Sequence, residues 1–296
     1  MSENSIDLAE FVSGFPQQPD VEVPRDAIIR KIIRDLGSSR QLMIAANAYT
    51  GKTNLLAQFV RSHKDSAISY FINSNPWTQQ QHNFLHTLCS QLRIILGGKA
   101  FADDISLEML KTVFSSQCAK LAEIARTNKT IYYFIIDGLE WALEGLEGER
   151  IIDIFPPPTF PRSPFLLCSC ATNSIVSLPK HILDIKRLDV SLDFNLSDTQ
   201  YFFSNLNLPS EVVESIHLNS QGIPEYLSII KNDIMSNSEG QWKPDNLPTQ
   251  LDQLIQRQLD KFYLSVDRQV IKAFEYLAVT SVPLPIDTLC GGLDQL

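Results

Sequence analysis

The sequence predicts an α/β protein in which a parallel β-sheet is covered by helices on both faces. The first observation behind this prediction is that short, nearly continuous apolar runs alternate with longer amphipathic runs. Such apolar runs are typical of strands buried on both faces, and helical crossovers between them produce a parallel sheet. The second observation is that polar motifs directly follow several of these runs. Ligands of open parallel sheets gather at the carboxyl ends of the strands, so the motifs indicate a ligand site there.

The predicted elements follow from the hydrophobic periodicity. A polar lead, residues 1–23, precedes a helix at 25–36, in which isoleucines recur at helical spacing. Strands are predicted at residues 41–46, 67–73, 130–137, 164–171 and 185–191. The helices predicted between them lie at residues 52–62, 78–96, 106–127 and 147–155. After residue 193 only helical patterns continue, with one helix capped by Ser197 and others at 209–219, 224–236, 249–264 and 267–279.

Composition disfavours several classes of function. The 296 residues carry a net charge of -9, whereas proteins that bind nucleic-acid backbones usually carry a basic excess. Nucleic acid is therefore not the expected partner. No apolar stretch reaches the roughly 18 residues that would cross a bilayer, and the polar N-terminus does not resemble a signal peptide. The five cysteines show no disulfide or metal-binding spacing, so we expect a cytoplasmic protein without membrane contact.

Residues 46–53 read Ala-Asn-Ala-Tyr-Thr-Gly-Lys-Thr, directly after the first predicted strand and before a helix. They match the phosphate loop G-x-x-x-x-G-K-[ST] except that Ala46 replaces the first glycine. In such a loop, backbone N–H groups face the β-phosphate, a lysine bridges the β- and γ-phosphates, and a hydroxyl holds Mg²⁺. Lys52 and Thr53 are predicted to take the last two roles. The residues predicted to contact ATP or ADP are Ala46, Asn47, Ala48, Tyr49, Thr50, Gly51, Lys52, Thr53 and Asn54.

A chance Gly-Lys-Thr in a turn is the alternative interpretation of this loop. The strand before the loop and the helix after it argue against chance, because the motif requires that context. Ala46 is the departure from the motif, since its methyl group would cramp the turn if this position needed a positive φ. We therefore expect that nucleotide binding survives and that the geometry of the loop differs.

Residues 131–136 are all apolar or aromatic, and Asp137 follows them directly. A buried strand that ends in a carboxylate at the ligand edge is what a Walker B strand requires, with the carboxylate holding Mg²⁺ through water. Glu140 follows three residues later and is a candidate general base for the attacking water. The alternatives are an Asp137 that caps the next turn and a Glu140 that is one exposed residue of an acidic stretch.

Residues 165–172 are a predicted strand that ends in small polar residues. In P-loop ATPases with an inserted strand, a polar residue at this place senses the γ-phosphate. Ser169 and Thr172 are the candidates for this role. The alternative is a hydroxyl at the end of a strand whose hydrogen bonds are satisfied locally.

With these motifs placed, residues 20–296 resemble the STAND class of signal-transducing ATPases and, within it, the NACHT family. The phosphate loop and the Asp-Gly-Leu-Glu run of 137–140 carry the resemblance, since a glycine directly after the metal aspartate is typical of NACHT proteins. The resemblance implies that Arg25, within Val-Pro-Arg-Asp, contacts the base and ribose. It also implies that Pro224, within Gly-Ile-Pro, packs on the adenine. The alternatives are a solvated arginine and a proline that only starts a helix.

The resemblance also implies a domain organisation and a function. The expected domains are a linker (1–23), a P-loop NTPase domain (24–195), a helical lid (196–240) and a partial winged helix (241–296). ADP would hold the lid and winged helix closed, and exchange for ATP would allow oligomerisation through the NTPase domain. Hydrolysis would be slow, with an output in defence or regulatory signalling. Effector and sensor regions are not identifiable, and we expect the chain to be part of a longer protein because it ends within the expected winged helix.

Two departures from the family pattern weaken the expectation of efficient hydrolysis. Residues 169–171 read Ser-Cys-Ala where the family often has Thr-Ser-Arg, and Trp141 stands where a second acidic residue is common. These departures favour an alternative function, a scaffold that binds nucleotide without hydrolysing it. A further alternative is a DNA-associated ATPase like the origin-recognition ATPases, although residues 248–296 carry more acidic than basic side chains.

Overall fold

The structure is a computed structural model that describes residues 14–101, 105–155, 164–236 and 247–265. The chain divides into two compact units, Met1–Asn205 and Leu206–Leu296. The helix predicted at 267–279 and most of the expected winged helix lie outside the described residues. Among the described helices, none is both long enough and apolar enough to cross a bilayer.

The first unit is built on a four-stranded parallel sheet with the order β1-β4-β3-β2. The strands are β1 (Gln41–Ala46), β2 (Ala67–Phe71), β3 (Tyr133–Asp137) and β4 (Phe165–Ala171). Every residue of β2 and β3 is buried, which explains why these strands are continuous apolar runs. β4, the last of the four in the chain, is inserted between β1 and β3. The parallel sheet confirms the predicted α/β fold, whereas the insertion of β4 was not predicted from the sequence.

Helices cover both faces of this sheet, as predicted. They are α1 (Asp26–Ser39), α2 (Lys52–Ser62), α3 (Gln81–Ile95), α4 (Leu107–Asn128), α5 (Lys180–Leu183) and α6 (Leu196–Phe202). The buried apolar residues of α1 and α2 pack with Leu42 and Ile44 of β1 in one hydrophobic cluster. The buried apolar residues of α3 and α4 form a second cluster with Met43, which lies between Leu42 and Ile44 on β1. Adjacent strand residues thus enter opposite cores, as the two-residue period of a strand requires.

The predicted fifth strand at 185–191 is wrong. This segment runs parallel to β1 but forms a single bridge, between Met43 and Arg187. The Met43 N–H donates to the Lys186 carbonyl and the Leu188 N–H donates to the Met43 carbonyl, both at 2.8 Å. Three charged residues interrupt the apolar run, so the segment is held against the sheet at one point and does not extend into a ladder.

The predicted helix at 147–155 is also wrong, because the structure has only a 3₁₀ turn at Ile151–Asp153. The Asp153 carboxylate accepts hydrogen bonds from the N–H groups of Gly148, at 2.7 Å, and Arg150, at 3.2 Å. Gly148 has a φ of +88°, which a regular helix does not accommodate. Local hydrogen bonding to a carboxylate here replaces the helical pattern.

The second unit is helical in its described part. It contains α7 (Ser210–Ser220), α8 (Pro224–Ser236) and α9 (Leu251–Ser265). Lys261 of α9 forms an ion pair with Asp233 of α8 at 2.7 Å, and the Tyr226 hydroxyl donates to the Pro248 carbonyl oxygen. These contacts join α8 to α9 and the segment before it, so a helical region follows the sheet as predicted.

Candidate nucleotide-binding site

Two residues of the loop between β1 and α2 have a left-handed backbone conformation. Tyr49 has a φ of +69° and Gly51 a φ of +85°. Ala46 is the last residue of β1 and is not among the residues with positive φ in the described chain. The condition under which the Ala46 methyl group would cramp the turn is therefore not met: an alanine fits a strand end, and the non-glycine residue with a positive φ is Tyr49.

Lys52, the first residue of α2, folds back over this loop. Its ammonium group donates to the Ala46 carbonyl at 3.0 Å and to the Asn47 carbonyl at 2.7 Å. The side chain is buried, and this burial lowers the pKa of the ammonium, while the Glu140 and Asp137 carboxylates act in the opposite direction. A phosphate group bound here would take the place of these two carbonyl oxygens.

Asp137 lies at the carboxyl end of β3, where two hydroxyl groups hold its carboxylate. The Thr53 hydroxyl donates to Oδ2 at 2.7 Å and the Ser169 hydroxyl donates to Oδ1. Burial raises the pKa of Asp137, and the two hydrogen bonds and the charge of Lys52 oppose that rise. The structure therefore brings together the two residues predicted from the sequence to hold Mg²⁺.

The residues present fit a magnesium ion held together with phosphate oxygens. A hydroxyl and a carboxylate are oxygen donors, which Mg²⁺ prefers, and Mg²⁺ in NTPases usually keeps several waters and phosphate ligands. No group of three or more His, Cys, Asp or Glu side chains capable of holding a metal occurs among the described residues. Thr53 and Asp137 would accordingly hold the ion only as part of a nucleotide complex.

Glu140 lies beside the end of β4. Its Oε2 accepts a hydrogen bond from the Ala171 N–H at 3.0 Å. The Cys170 thiol donates to the Ala171 carbonyl at 3.4 Å, and its burial, together with the charge of the Glu140 carboxylate, raises its pKa to about 12. The contact of Glu140 with Ala171 depends on the placement of β4 next to β3, which no local pattern indicates.

The position after Asp137 requires a glycine for structural reasons. Its φ is +78°, and a Cβ atom at this position would lie 2.2 Å from the Ile72 carbonyl oxygen. The chain after β2 approaches closely because the Ile72 N–H donates to the Asp137 carbonyl at 3.0 Å. Only glycine satisfies both the left-handed backbone and this close approach.

The two candidate phosphate sensors occupy different environments. Ser169 is fully buried, and its hydroxyl accepts a hydrogen bond from the Gly138 N–H at 3.0 Å while it donates to Asp137. Thr172 is exposed and begins a 3₁₀ helix, Thr172–Ser177. The Ser169 hydroxyl is thus satisfied within the protein, as the alternative interpretation of the sequence had it.

Arg25 contacts the segment that precedes α6. Its guanidinium donates to the Leu192 carbonyl, lies 3.6 Å from the Asp198 carboxylate, and stacks 5.1 Å from the centre of the Phe194 ring. Burial lowers the pKa of Arg25 and the two nearby aspartates oppose this. The side chain is buried, so the interpretation of Arg25 as a solvated arginine is wrong. Its role toward a base and ribose stays a prediction.

Pro224 is the first residue of α8. This position suits proline, because its missing N–H falls where a helix has no acceptor for it. The placement matches the structural alternative given by the sequence. Packing of Pro224 against an adenine stays a prediction.

Comparison with known proteins yields structural likeness without sequence relatives. No family model and no curated protein matches the sequence. A Walker-type ATPase of Pyrococcus abyssi superposes with a TM-score of 0.54 at 13% identity, over 95% of this chain and 92% of that one. The ORC1 protein of Aeropyrum pernix, solved in complex with DNA, gives 0.48 at 12% identity, over 94% and 78%. The RuvB Holliday junction branch migration motor of Thermotoga maritima gives 0.43 at 12% identity, over 95% and 85%. The first of these likenesses supports the P-loop NTPase fold.

Proposed function

We propose that the chain binds ATP with Mg²⁺ at residues 46–54 and acts as a nucleotide-dependent switch. The observation that carries the proposal is the contact of Thr53 with Asp137 at 2.7 Å, beside the buried ammonium of Lys52. A cation and two oxygen ligands for Mg²⁺ converge at the start of a helix, where unpaired backbone N–H groups favour a phosphate. The three groups all lie in the first compact unit, Met1–Asn205.

Phosphate binding would draw Lys52 away from the carbonyl oxygens of Ala46 and Asn47. The exchange is favourable because an ammonium–phosphate hydrogen bond is charge-assisted, whereas the present bonds are to neutral carbonyls. Mg²⁺ would neutralise charge on the β- and γ-phosphates when bound. Thr53 and Asp137 would orient it, and the buried setting would strengthen each electrostatic contact.

Glu140 is the residue we propose as the general base. Its Oε2 atom accepts a hydrogen bond from the Ala171 N–H at 3.0 Å. A carboxylate has lone pairs on both oxygens, so Glu140 can accept a proton from the attacking water while Oε2 keeps this hydrogen bond. We expect slow turnover because the family pattern has an arginine where this chain has Ala171. A switch benefits from slow hydrolysis, because the ATP-bound state then persists.

The switch itself is proposed on the resemblance to STAND and NACHT ATPases. ADP would hold a closed state, and ATP would favour an open state that self-associates through the NTPase domain in the cytoplasm. A nucleotide shifts such a balance only by its differential affinity for the two states. Contacts of Lys52 and of the metal site with the γ-phosphate would have to supply that difference.

Nucleotide binding is tested by titrating the protein with a fluorescent ATP analogue in the presence of Mg²⁺. Lys52→Ala should weaken binding about 10- to 100-fold, the equivalent of one charge-assisted hydrogen bond. Lys64→Ala removes an exposed lysine in the turn after α2 and is the matched control. Equal affinity of the parent and Lys52→Ala proteins would overturn the proposal.

Hydrolysis and switching are tested with Glu140→Gln, which keeps the shape of the side chain and removes its basicity. Phosphate release should fall to background in this variant. The mass of its assemblies in solution should increase with ATP but not with ADP. If the parent protein also releases phosphate at background while nucleotide stays bound, the protein is a non-hydrolysing scaffold. If the mass is the same with either nucleotide, the oligomerisation switch is wrong.

A further inference from the structure

The hydroxyl group of Ser169 makes two hydrogen bonds within the protein. A serine hydroxyl has one O–H to donate, and here that O–H is directed to Asp137 Oδ1. It accepts from the Gly138 N–H at 3.0 Å. The backbone carbonyl of Ser169 accepts in addition from the Leu139 N–H at 3.0 Å. One residue of β4 therefore holds the last residue of β3, Asp137, and the two residues that follow it.

These contacts determine the orientation of the Asp137 carboxylate. With Oδ1 held by Ser169, Oδ2 faces the Thr53 hydroxyl at 2.7 Å. A carboxylate is otherwise free to rotate about its terminal bond, whose rotational preferences are broad.

We infer that Ser169 is a positioning residue for the Asp137 carboxylate and not a sensor of the γ-phosphate. A sensor must donate a hydrogen bond to the phosphate, and the only O–H of Ser169 is already engaged with Asp137. The full burial of Ser169 agrees with this role. The inference rests on the proposed function, because it concerns the Mg²⁺ that would accompany the nucleotide.

The test measures how much Mg²⁺ is needed to tighten ATP binding in the full chain. Ser169→Ala should raise the half-saturating Mg²⁺ concentration about 10-fold, the lower end of the effect of removing a partner of a metal ligand. In EDTA, the affinities for ATP and for ADP should stay within about twofold of the parent. Ser169→Thr retains the hydroxyl and should restore most of the parent's Mg²⁺ requirement.

Ser69 supplies a matched control. It lies on β2, its exposure is 0% like that of Ser169, and its hydroxyl has no hydrogen-bond partner among the described residues. Ser69→Ala removes the same atoms from an equally buried strand position away from the metal site. It should leave the Mg²⁺ requirement unchanged.

The outcomes separate this inference from the proposed function. If the parent binds nucleotide and Ser169→Ala has the parent's Mg²⁺ requirement, the positioning role is wrong even if the variant unfolds at a lower temperature. If Ser169→Ala weakens ATP relative to ADP in EDTA, Ser169 is a phosphate sensor. If the parent does not bind nucleotide, the proposed function itself fails. Should Ser169→Ala not fold, the same titration on Ser169→Cys decides, because a thiol is a weaker donor and should still raise the requirement.

Discussion

Thr53 and Asp137 are in direct contact, although 84 positions separate them in the sequence. The Thr53 hydroxyl donates to Asp137 Oδ2 at 2.7 Å. The contact joins the first turn of α2, next to β1, to the end of β3, while β4 lies between β1 and β3. It therefore spans the inserted strand and joins the two elements from which the proposed metal site is built.

Asp137→Asn should stabilise the protein in the absence of nucleotide. Burial raises the pKa of Asp137 above its ordinary value of 3.8, so the folded protein binds this proton more tightly than the unfolded chain does. Stability is then lost as the pH rises from the unfolded pKa through the folded pKa, and ionised Asp137 destabilises the protein at neutral pH. Asparagine removes the charge. The unfolding temperature of Asp137→Asn should exceed that of the parent by an amount that increases between pH 4 and pH 8.

Asp153→Asn is the control of opposite sign. Hydrogen bonding to Arg150 lowers the pKa of Asp153, so its stabilising contribution is present above the unfolded pKa and is lost as the pH falls through the folded pKa. This variant should lower stability at neutral pH. A neutral-pH loss of stability in Asp137→Asn as well would contradict the argument from burial.

Gly138→Ala should destabilise the protein more than Gly148→Ala. Both glycines have positive φ, +78° and +88°, and alanine in that conformation costs roughly 1–2 kcal/mol. At Gly138 the new Cβ would also lie 2.2 Å from the Ile72 carbonyl oxygen, whereas nothing lies within 4 Å at Gly148. We expect Gly138→Ala to lower the free energy of unfolding by more than about 3 kcal/mol, a size of effect that strain and overpacking produce.

Urea unfolding of the two alanine variants measures this difference. Because the backbone conformations are similar, the difference between the variants reports the close approach of the chain after β2. Equal losses in the two variants would mean that the turn after Asp137 moves away from Ile72 without cost.

Gln91 should contribute to stability by completing the outer edge of β2. Its side-chain amide accepts from the Ser69 N–H at 2.9 Å and donates to the Ser69 carbonyl at 2.8 Å. β2 is at the edge of the sheet, and Gln91 takes the place of a neighbouring strand there. Gln91→Met keeps the volume but leaves two buried backbone groups unpaired, which should cost about 1–3 kcal/mol for each group.

Gln91→Ala should be less stable than Gln91→Met, since it adds a cavity to the lost hydrogen bonds. Chemical denaturation of the two variants, compared with the parent, separates these contributions. A Gln91→Met protein as stable as the parent would show that the edge of β2 does not need the amide.

Tyr49→Gly should stabilise the protein slightly. Tyr49 has a φ of +69° and is 56% exposed, so glycine relieves the strain and removes little buried surface. A strain of roughly 1–2 kcal/mol less a backbone-entropy cost of about 0.5–1 kcal/mol leaves a net gain below about 1.5 kcal/mol. Tyr49→Ala retains the strain and should show no gain. If both variants unfold at the temperature of the parent, the loop carries no strain at this residue.

Some parts of the fold could be read from local patterns. The strand predicted at 41–46 and the helix predicted at 52–62 have the bounds of β1 and α2, because a continuous apolar run and a Gly-Lys-Thr start are local signals. The segments 147–155 and 185–191 were mispredicted. In the first, the hydrogen bonds of the Asp153 carboxylate replace helical ones, and in the second, charged residues break the ladder after one bridge.

The sequence by itself determined that buried strands alternate with helices, that a phosphate loop follows the first strand, and that a carboxylate ends the third. Each of these is a local property of apolar spacing and residue type. Only the tertiary structure decided that β4 lies beside β3, so that Ser169 meets Asp137 and the Ala171 N–H meets Glu140. The order of strands depends on packing between distant segments, and hydrogen bonds across 31 or 32 positions have no periodic signature in the chain.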